Sequence, residues 1–304
     1  MKICVTSIGS ISGPFVTKRL KDLGHEVIGL NIQTQEDLID KSYCDDFYSI
    51  PHSSEEDEFI DRLLFLSKSL HFDAILPLTD PESYLLSTKS CNFLEYGIKI
   101  FSSNHHSLSL VRDKFSIFSK SKEWSNHQFK PIPTLKNFSE ALEAFGLPII
   151  AKPSIGRSSQ GLMLIEAFNA QPDLDNYIYQ PYLKGNIITV DAIRIADHNF
   201  TFCLPREELE RTANGAGIKV RTFKDPRMND FINSLLERFK IEGCINIEFI
   251  QIKDCYYLMD FNLRVSAGIR FSYDAGADFL GALTSCSTNY LNDYFNDVKS
   301  LVIR

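Results

Sequence analysis

A strand–helix–strand pattern at the N-terminus restricts the fold of this chain more than any other feature. The run "KICVTSI" is rich in β-branched residues, and "SGPFVTKRLKDLG" places apolar residues at helical spacing before a closing glycine. The run "HEVIGLNI" then has the character of a second buried strand. Such a βαβ unit requires a parallel sheet with a right-handed crossover. A second helical segment, "EEDEFIDRLLFLSKSL", and a third strand, "FDAILPL", extend the pattern and predict an α/β unit in the N-terminal third of the chain.

The turn after the first strand lacks a complete dinucleotide-binding sequence. It contains Gly9 and Gly13 but not the full pattern G-x-G-x-x-G. Asn31 stands at the end of the second strand, where an acidic ribose ligand would be expected. We interpret the turn as a tight connection, and a nicotinamide-dependent oxidoreductase remains an alternative function.

The turn after the third strand, "TDPES", has two interpretations. In the first, Asp80 is the N-cap of a helix and Pro81 its first residue. In the second, Asp80 and Glu82 face a substrate, because open α/β sheets bind ligands at the carboxyl ends of their strands.

Composition excludes several classes of protein. The chain has 304 residues, of which 44% are hydrophobic, enough for two or three domains with their own cores. A net charge of −7 argues against a nucleic-acid partner, and no apolar run is long enough to predict a membrane span. The start, "MKICVTSIG", suits a strand better than a signal peptide. The seven scattered cysteines form no C-x-x-C pair, which indicates buried thiols in a reducing cytoplasm.

A lysine and a small-residue loop in the middle of the chain suit phosphate binding. Residues 106–122 are predicted to be helical, and a short helix, "SEALEAFG", precedes "LPIIAKPSIGRSSQGLMLIE". In that segment Lys152 ends a strand, and the loop that follows can bend over an anion. The small loop residues are Gly156, Ser158, Ser159 and Gly161. Because a strand rather than a helix follows, the segment is not a P-loop.

The aromatic run "YIYQPYLKG" follows, and it is either an ordinary strand or a hinge that offers backbone groups to an adenine edge. A further segment, "PREELERTANGAGIKVRTFKDPR", is either a solvated loop or a flap that moves at Gly215 and Gly217. In the second case its cations meet a phosphate or a substrate carboxylate. Those cations are Arg206, Arg211, Lys219 and Arg221.

Two apolar runs near the C-terminus, "GCINIEFIQI" and "CYYLMDFNLRV", predict a β-hairpin. With a three-residue turn at 253–255, Glu248 lies opposite Asp260, and a two-residue turn would put them on different faces. Two facing carboxylates repel unless a cation lies between them. The predicted face is Asn246, Glu248, Ile250, Leu258, Asp260, Asn262 and Arg264. It is either a solvated hairpin face or a magnesium-and-phosphate site.

In this order, the motifs resemble the ATP-grasp superfamily, in particular ligases similar to half of a carbamoyl-phosphate synthase large subunit. The resemblance extends from the βαβ unit through "RDK", "IIAKP", "SIGRSSQG", "YQPYLKG" and "GCINIEF" to "MDFNLRVSAG". It implies a Rossmann-like pre-ATP-grasp domain over residues 1–105, with a parallel sheet. A two-subdomain ATP-grasp fold would follow, with a small subdomain over 106–178 and a C-terminal subdomain over 179–304. The fold class is therefore α/β together with α+β.

The resemblance also implies site residues and partners. ATP would be held by Lys114 and Lys152 at its phosphates and by Gln180, Pro181, Tyr182 and Leu183 at its adenine. Glu248, Asp260 and Asn262 would bind Mg²⁺, with Mn²⁺ as an alternative ion. Arg264 would stabilise an acyl phosphate, with Arg206 and Arg221 as further catalytic candidates and Lys219 as a substrate ligand. The partners would be a small carboxylate and an amine, and the chain would be able to form a homodimer.

Three departures from the family pattern leave a second function open. Relatives usually carry Glu at the positions of Gln180 and Ile187, which puts ribose recognition in doubt unless Asp191 faces the cleft. Asp260 is shorter than the usual second metal-binding Glu. A nucleotide-binding regulatory or assembly protein without catalysis is therefore the alternative to a ligase.

Overall fold

The N-terminal βαβ unit forms the start of a parallel sheet, as its sequence predicts. The computed structural model describes residues 1–34, 39–156, 160–167, 174–213, 215–291 and 300–302. The described strands of this sheet lie in the order β3-β2-β1-β4-β5. They are β1 (Lys2–Val5), β2 (Glu26–Asn31), β3 (Asp46–Ser49), β4 (Ala74–Leu76) and β5 (Lys99–Ile100). The connecting helices are α1 (Gly13–Asp22), α2 (Glu56–Leu70), α3 (Asp80–Thr88) and α4 (Ser90–Leu94), with a 3₁₀ turn at Ile39–Tyr43.

Helix α3 begins one residue earlier than the sequence suggests. Thr79 occupies the N-cap position with extended backbone, and Asp80 is the first helical residue. The prediction that Asp80 is the N-cap is therefore wrong. Thr79 takes that place because its hydroxyl and its backbone N–H both donate to Glu82, three residues later.

The helical stretch predicted over residues 106–122 is divided into short helices: α5 (His105–Arg112), α6 (Lys114–Ser119) and α7 (Ser121–Trp124). The first break falls at Asp113, which leaves the helical conformation. Its carboxylate accepts a hydrogen bond from the backbone N–H of Phe115 at 3.1 Å, which caps α6. The backbone N–H of Lys114 instead reaches the carbonyl of Ser154, in the strand-to-loop connection.

The next part of the chain forms a small antiparallel sheet, in the order β8-β7-β9, against α8 (Phe138–Phe145). Its described strands are β7 (Ile149–Pro153), β8 (Met163–Ile165) and β9 (Tyr177–Pro181). The predicted boundary between residues 178 and 179 lies inside β9, which belongs wholly to this sheet.

The C-terminal part is a larger mixed sheet in the order β15-β12-β11-β10-β13-β14-β6. The described strands are β6 (Phe129–Pro131), β10 (Asn186–Ile195), β11 (Phe200–Arg211), β12 (Gly217–Thr222), β13 (Gly243–Ile252), β14 (Cys255–Asn262) and β15 (Ser300–Val302). The helices are α9 (Pro226–Arg238), α10 (Ile269–Asp274) and α11 (Phe279–Ser285), with 3₁₀ turns at Ala196–His198 and Thr288–Tyr290.

Opposite faces of the larger sheet have different neighbours. One face is buried against α9, where Phe129 stacks on Phe231 with ring centroids 4.0 Å apart. Part of the other face packs through Ile193 and Leu204 onto α11 and the N-terminal domain. The rest of that face lines a cleft between the sheets. In the part of the chain that the structure describes, no helix has the length and apolarity needed to cross a bilayer.

Candidate active site

The hairpin that carries Asp260 has a two-residue turn, whereas the predicted pairing of Glu248 with Asp260 assumed a three-residue turn. Ile252 pairs with Cys255 across a two-residue turn, in which Lys253 has a φ of 52°. With that turn, regular pairing would place Glu248 and Asp260 on opposite faces of the sheet.

A β-bulge restores the predicted pairing of the two carboxylates. Phe249 pairs with Leu258, but the next pair is Glu248 with Asp260, so Met259 is an extra residue in its strand. A bulge moves the side chains that follow it to the other face of the sheet. Leu258, predicted to share the face of Asp260, instead packs into the core and is 1% exposed.

The bulge also determines where Lys152 lies. The Nζ of Lys152 donates a hydrogen bond to the backbone carbonyl of Met259 at 3.1 Å. Burial lowers the pKa of Lys152 to about 8, with the charge of Asp260 opposing this shift and that of Lys114 adding to it. A buried ammonium of this kind gains strongly from an anionic ligand, because little water stabilises its charge.

Each of the facing carboxylates has its own cation. Arg211 Nη2 lies 2.8 Å from Glu248 Oε2, and Lys114 Nζ lies 3.4 Å from Asp260 Oδ1. Burial, together with repulsion by Asp260, raises the pKa of Glu248 although Arg211 opposes the rise. Burial also acts to raise the pKa of Asp260, but Lys114 and Lys152 outweigh it and the pKa is lowered. The sheet therefore holds two negative charges side by side that require positive partners.

Asn262 follows on the same face, opposite Asn246, and both line the cleft. In the described residues, no group of three or more His, Cys, Asp or Glu side chains is arranged to hold a metal ion. A metal at this position would therefore have two carboxylates and an amide as protein ligands and would need further oxygens from its substrate.

Lys114 connects the carboxylates to the loop between β7 and β8. Its Nζ donates to the carbonyl of Gly156 at 2.9 Å as well as approaching Asp260. Gly161 has a φ of 72°, and a Cβ there would lie 2.7 Å from the hydroxyl of Tyr177. Ser158 and Ser159, predicted to bind phosphate, lie outside the described residues.

Arg264 and Asp80 meet in the cleft. Arg264 Nε donates to Asp80 Oδ2 at 3.0 Å, and Nη1 donates to the carbonyl of Val265 at 3.1 Å. Burial acts to lower the pKa of Arg264, but Asp80 raises it overall, so the guanidinium stays charged. Asp80 thus lines the cleft, with Arg264 as its partner.

Glu82 lies away from the described lining of the cleft. It is 4% exposed, and its carboxylate accepts hydrogen bonds from the hydroxyls of Thr6, Ser7 and Thr79 at 2.7–2.8 Å. Burial raises the pKa of Glu82 despite these donors. Thr6 and Thr79 follow β1 and β4, so Glu82 fills the space between the carboxyl ends of these strands.

Arg206 lines the cleft, but its guanidinium is engaged in hydrogen bonds to neighbouring carboxylates. It is 3% exposed and donates to Asp191 and to Glu208. Asp191 also accepts from Asn246 at 3.1 Å and from Ser272 at 2.6 Å. Because these donors saturate Asp191, which is 1% exposed, its carboxylate does not face the cleft as a ribose ligand.

Lys219 and Arg221 lie on the other side of the sheet from Arg206. In the β11–β12 hairpin, Arg221 pairs with Glu207 and Arg206 with Thr222, so strand alternation separates the two arginines. Arg221 ion-pairs with Glu207 at 3.5 Å, and Lys219 with Glu210 at 3.6 Å. The structure does not bring either cation to the cleft.

The predicted adenine hinge lies at the end of β9. Gln180 is 2% exposed and donates to the hydroxyl of Thr134 at 2.8 Å. Its neighbour Tyr182 is 41% exposed, and the backbone N–H of Tyr182 bonds to the carbonyl of Pro148. The remaining hinge residues, Pro181 and Leu183, are half-buried.

These groups surround one cleft with a volume of about 390 Å³. Its charged walls are Asp80, Lys114, Lys152, Arg206, Glu208, Arg211, Glu248, Asp260 and Arg264. Among the charged residues of the cleft, Arg211 was predicted only as one of several flap cations and not as a site residue. Its position at the end of a strand, just before a glycine-containing turn, is the signal that would have singled it out.

Comparison with known proteins finds sequence matches to an ATP-grasp family model and to carbamoyl phosphate synthase large chains. A family model described as "ATP-grasp in the biosynthetic pathway with Ter operon" matches residues 173–300. The carbamoyl phosphate synthase large chain of Clostridium botulinum (strain Alaska E43) is 26% identical over 276 residues, which cover 84% of this chain and 25% of that protein. The Pseudothermotoga lettingae large chain is 23% identical over 271 residues, covering 82% and 24%. This chain thus spans about a quarter of the length of these relatives.

Solved structures share the fold. The Campylobacter jejuni biotin carboxylase–β,γ-ATP complex aligns with a TM-score of 0.75 and 15% identity, over 98% of this chain and 73% of that one. The biotin carboxylase domain of Hydrogenobacter thermophilus 2-oxoglutarate carboxylase, with MgADP, ADP and bicarbonate, gives 0.74 and 13%, over 96% and 71%. N5-carboxyaminoimidazole ribonucleotide synthetase of Thermotoga maritima gives 0.67 and 15%, over 92% and 73%. With this architecture and these matches, the chain has an ATP-grasp fold, matches an ATP-grasp family model over residues 173–300 and is similar in sequence to carbamoyl phosphate synthase large chains.

Proposed function

We propose that the chain is an ATP- and Mg²⁺-dependent ligase that activates a small-molecule carboxylate as an acyl phosphate and joins it to an amine. The observation that carries the proposal is the pair Glu248–Asp260, facing each other in a cleft that also contains Lys114, Lys152 and Arg264. This set combines oxygen ligands for a hard cation with donors for phosphate oxygens. The carbamoyl phosphate synthase relatives and the biosynthetic family model support a ligase.

Glu248, Asp260 and Asn262 are the residues that would hold Mg²⁺, with Mn²⁺ as an alternative. The fit rests on the negative charge of these ligands. The two facing carboxylates require positive partners, and each of them already lies beside a side-chain cation, Arg211 or Lys114. Their oxygens suit Mg²⁺, which usually takes one or two carboxylates together with phosphate oxygens and water. When bound, the ion would neutralise charge that develops on the transferring phosphoryl group.

The proposed reaction has two steps. An oxygen of the carboxylate substrate attacks the γ-phosphorus, the bond to the β–γ bridging oxygen breaks, and ADP leaves with the electron pair. The amine nitrogen then attacks the acyl carbon, the carbon–oxygen bond breaks, phosphate leaves with that electron pair, and the amine releases a proton. Lys114 and Lys152 act as point charges on the phosphates, and Arg264 meets the acyl phosphate with its fork of donors.

The carboxylate substrate is expected at the N-terminal end of the cleft. Ile11 after β1 and Asp80 after β4 line this end, together with Arg264. Strands β1 and β4 are neighbours at the point where the sheet order reverses, and such crevices bind ligands in open α/β sheets. The pair Asp80–Arg264 thus lies between the proposed acid and the phosphates.

A nicotinamide cofactor is disfavoured by the same crevice. Glu82 fills the space between the carboxyl ends of β1 and β4 with a carboxylate held by three hydroxyls. A pyrophosphate at this point would meet that negative charge at close range. The crevice therefore has neither the space nor the positive charge that a dinucleotide pyrophosphate needs, which argues against the oxidoreductase alternative.

The non-catalytic alternative is favoured by Gln180, which donates to Thr134 inside the small sheet. Substrate-dependent release of ADP separates the two functions. We expect the protein with MgATP to release ADP and phosphate when a pool of small carboxylates and amines contains the right pair. Tight MgATP binding with no acid-dependent ADP release from a broad pool would instead support the regulatory alternative.

The lowered pKa of Lys152 predicts that nucleotide affinity depends on pH. Only the protonated lysine is a cation, and its pKa is about 8 in the ligand-free protein. The affinity for ADP in EDTA should therefore fall above pH 8, approaching about tenfold per pH unit for one proton. Calorimetric titrations between pH 7 and 9.5 measure this. Lys152→Arg should flatten the curve, because an arginine side chain stays protonated throughout this pH range.

Stability should change in the opposite direction over that range. The pKa of Lys152 is lower in the folded chain than its ordinary value of 10.5, so the unfolded chain binds more protons between these limits. This residue therefore adds to the free energy of unfolding as pH rises from about 8 toward 10.5.

The affinity measurement decides the role of Lys152. A pH-independent ADP affinity in the wild type would show that Lys152 does not contact the nucleotide.

A further inference from the structure

The arginines of the β11–β12 hairpin differ in what they can reach. Arg206 has its Nε on Glu208 and its Nη1 on Asp191, inside a buried network. Arg221 lies on the outer face with its side chain 50% exposed. Arg211 lines the cleft, at the end of β11 beside Gly215 and Ala216 of the hairpin tip.

Arg211 owes its place to an irregularity in its strand. Arg206 and Glu208 lie on the cleft face, so regular alternation would put Glu210 there as well. The register shifts between Glu208 and Glu210, and again between Glu210 and Arg211. Glu210 is turned outward, where its side chain is 60% exposed and approaches Lys219, and Arg211 takes the cleft position. The irregularity thus replaces a negative charge in the cleft by a positive one.

The guanidinium of Arg211 is only partly used. Its Nη2 donates to Glu248 Oε2 at 2.8 Å, while its Nε is buried without a hydrogen-bond partner in the described part of the chain. A buried donor without a partner is costly, so the group is arranged for an acceptor that arrives with a ligand. Its side chain retains 23% exposure, which leaves it room to move.

We infer that Arg211 is a catalytic residue that contacts the transferring phosphoryl group and rests on Glu248 until that carboxylate binds the metal ion. The inference depends on the proposed function. A guanidinium and a divalent cation at one carboxylate compete for its oxygens and repel each other. Arg211 therefore leaves Glu248 when the ion binds, and its donors, including the unpartnered Nε, become free for phosphate oxygens.

The inference predicts opposite effects of Arg211→Gln on metal binding and on turnover. Glutamine retains a donor and much of the length but removes the charge that competes with the metal. The variant should bind Mn²⁺ alone about five- to tenfold more tightly than the wild type, a typical size for coupling between two ligands. Its acid-dependent ADP release should fall by about 10²- to 10³-fold, as when one electrostatic donor is removed.

Electron paramagnetic resonance measures free Mn²⁺ during titration of the nucleotide-free protein, and a coupled assay measures ADP. Arg221→Gln is the matched control, because it removes the same charge from the same hairpin on the opposite face. It should change neither quantity by more than about twofold.

Each outcome has a defined meaning. Unchanged Mn²⁺ affinity in Arg211→Gln, or unchanged turnover, would overturn the inference while leaving the proposed ligase standing. If wild type and variant both fail to bind Mn²⁺, even with ATP, then the proposed metal site is wrong and the inference falls with it. Tighter Mn²⁺ binding together with slow turnover, restored in part by Arg211→Lys, would support it.

Discussion

Asp260→Asn should reduce acid-dependent ADP release by about 10²- to 10³-fold, because it removes a full charge from the carboxylate pair proposed to hold the metal. The amide keeps the shape of the side chain and one oxygen ligand. The concentration of Mg²⁺ that gives half-maximal activity should therefore rise together with the loss of turnover. A coupled ADP assay over a range of Mg²⁺ concentrations measures both.

The same substitution should change the free energy of unfolding by no more than about 1 kcal/mol. Asp260 lies 3.4 Å from Lys114 and its side chain is 27% exposed, so its ion pair is partly solvated. Asp254→Asn, at the exposed turn of the same hairpin, is the matched control and should leave ADP release unchanged. Near-normal turnover in Asp260→Asn would make the face a structural feature.

Arg264→Lys should lower turnover by about 10²-fold while changing the affinity for MgATP by less than about threefold. Lysine keeps the charge but not the planar fork, which here places Nε on Asp80 and Nη1 on the carbonyl of Val265. Such a split between turnover and affinity is expected of a group that acts mainly on the transferring phosphoryl. Steady-state kinetics and calorimetry measure the two quantities.

Two further variants test this assignment. Arg270→Lys changes an exposed arginine that pairs with Asp274 at 3.4 Å, and it should have no effect. Asp80→Asn should slow turnover less than Arg264→Lys, and the double variant should be no slower than Arg264→Lys alone, because Asp80 acts through Arg264. Fully additive losses would mean that Asp80 has a separate role at the substrate.

The N-terminal fold was predictable because its signals are local. The run "KICVTSI", its helix and "HEVIGLNI" each have the periodicity of their element, and strand–helix alternation leaves little choice of topology. The helix over 106–122 was predicted as one piece because its apolar spacing is continuous. The interruption comes from Asp113, whose carboxylate bonds to the backbone of the following turn.

The candidate site was only partly predictable, because two strand irregularities decide which side chains enter it. Strict alternation in β11 selects Glu210, whereas the structure selects Arg211. The hairpin turn before β14 is one residue shorter than predicted, and the bulge at Met259 offsets this difference in register. The pairing of Glu248 with Asp260 was therefore predicted correctly, but from the wrong turn length. No glycine marks the bulge at Met259, and Gly217, which pairs with Arg211 at the second register shift, is assigned by the sequence to a flap.

Long-range partners were also hidden from sequence reasoning. Nothing in "TDPES" shows that Asp80 reaches Arg264 or that Glu82 is buried beneath Thr6 and Ser7. The same holds for Arg206, whose charge is taken up by Asp191 on the neighbouring strand. Residue type alone identified cations suitable for catalysis, but only their partners show which of them remain available to a ligand.

The central claim is that a carboxylate oxygen attacks the γ-phosphate of ATP in this cleft. Its most direct test uses the acid that supports ADP release, labelled with ¹⁸O in its carboxyl group. The protein is incubated with MgATP and the amine, and the phosphate released is analysed by mass spectrometry. An acyl phosphate predicts that an oxygen of the acid leaves with the phosphate, so the product carries ¹⁸O. Phosphate free of the label, formed at the rate of ADP release, would contradict the account.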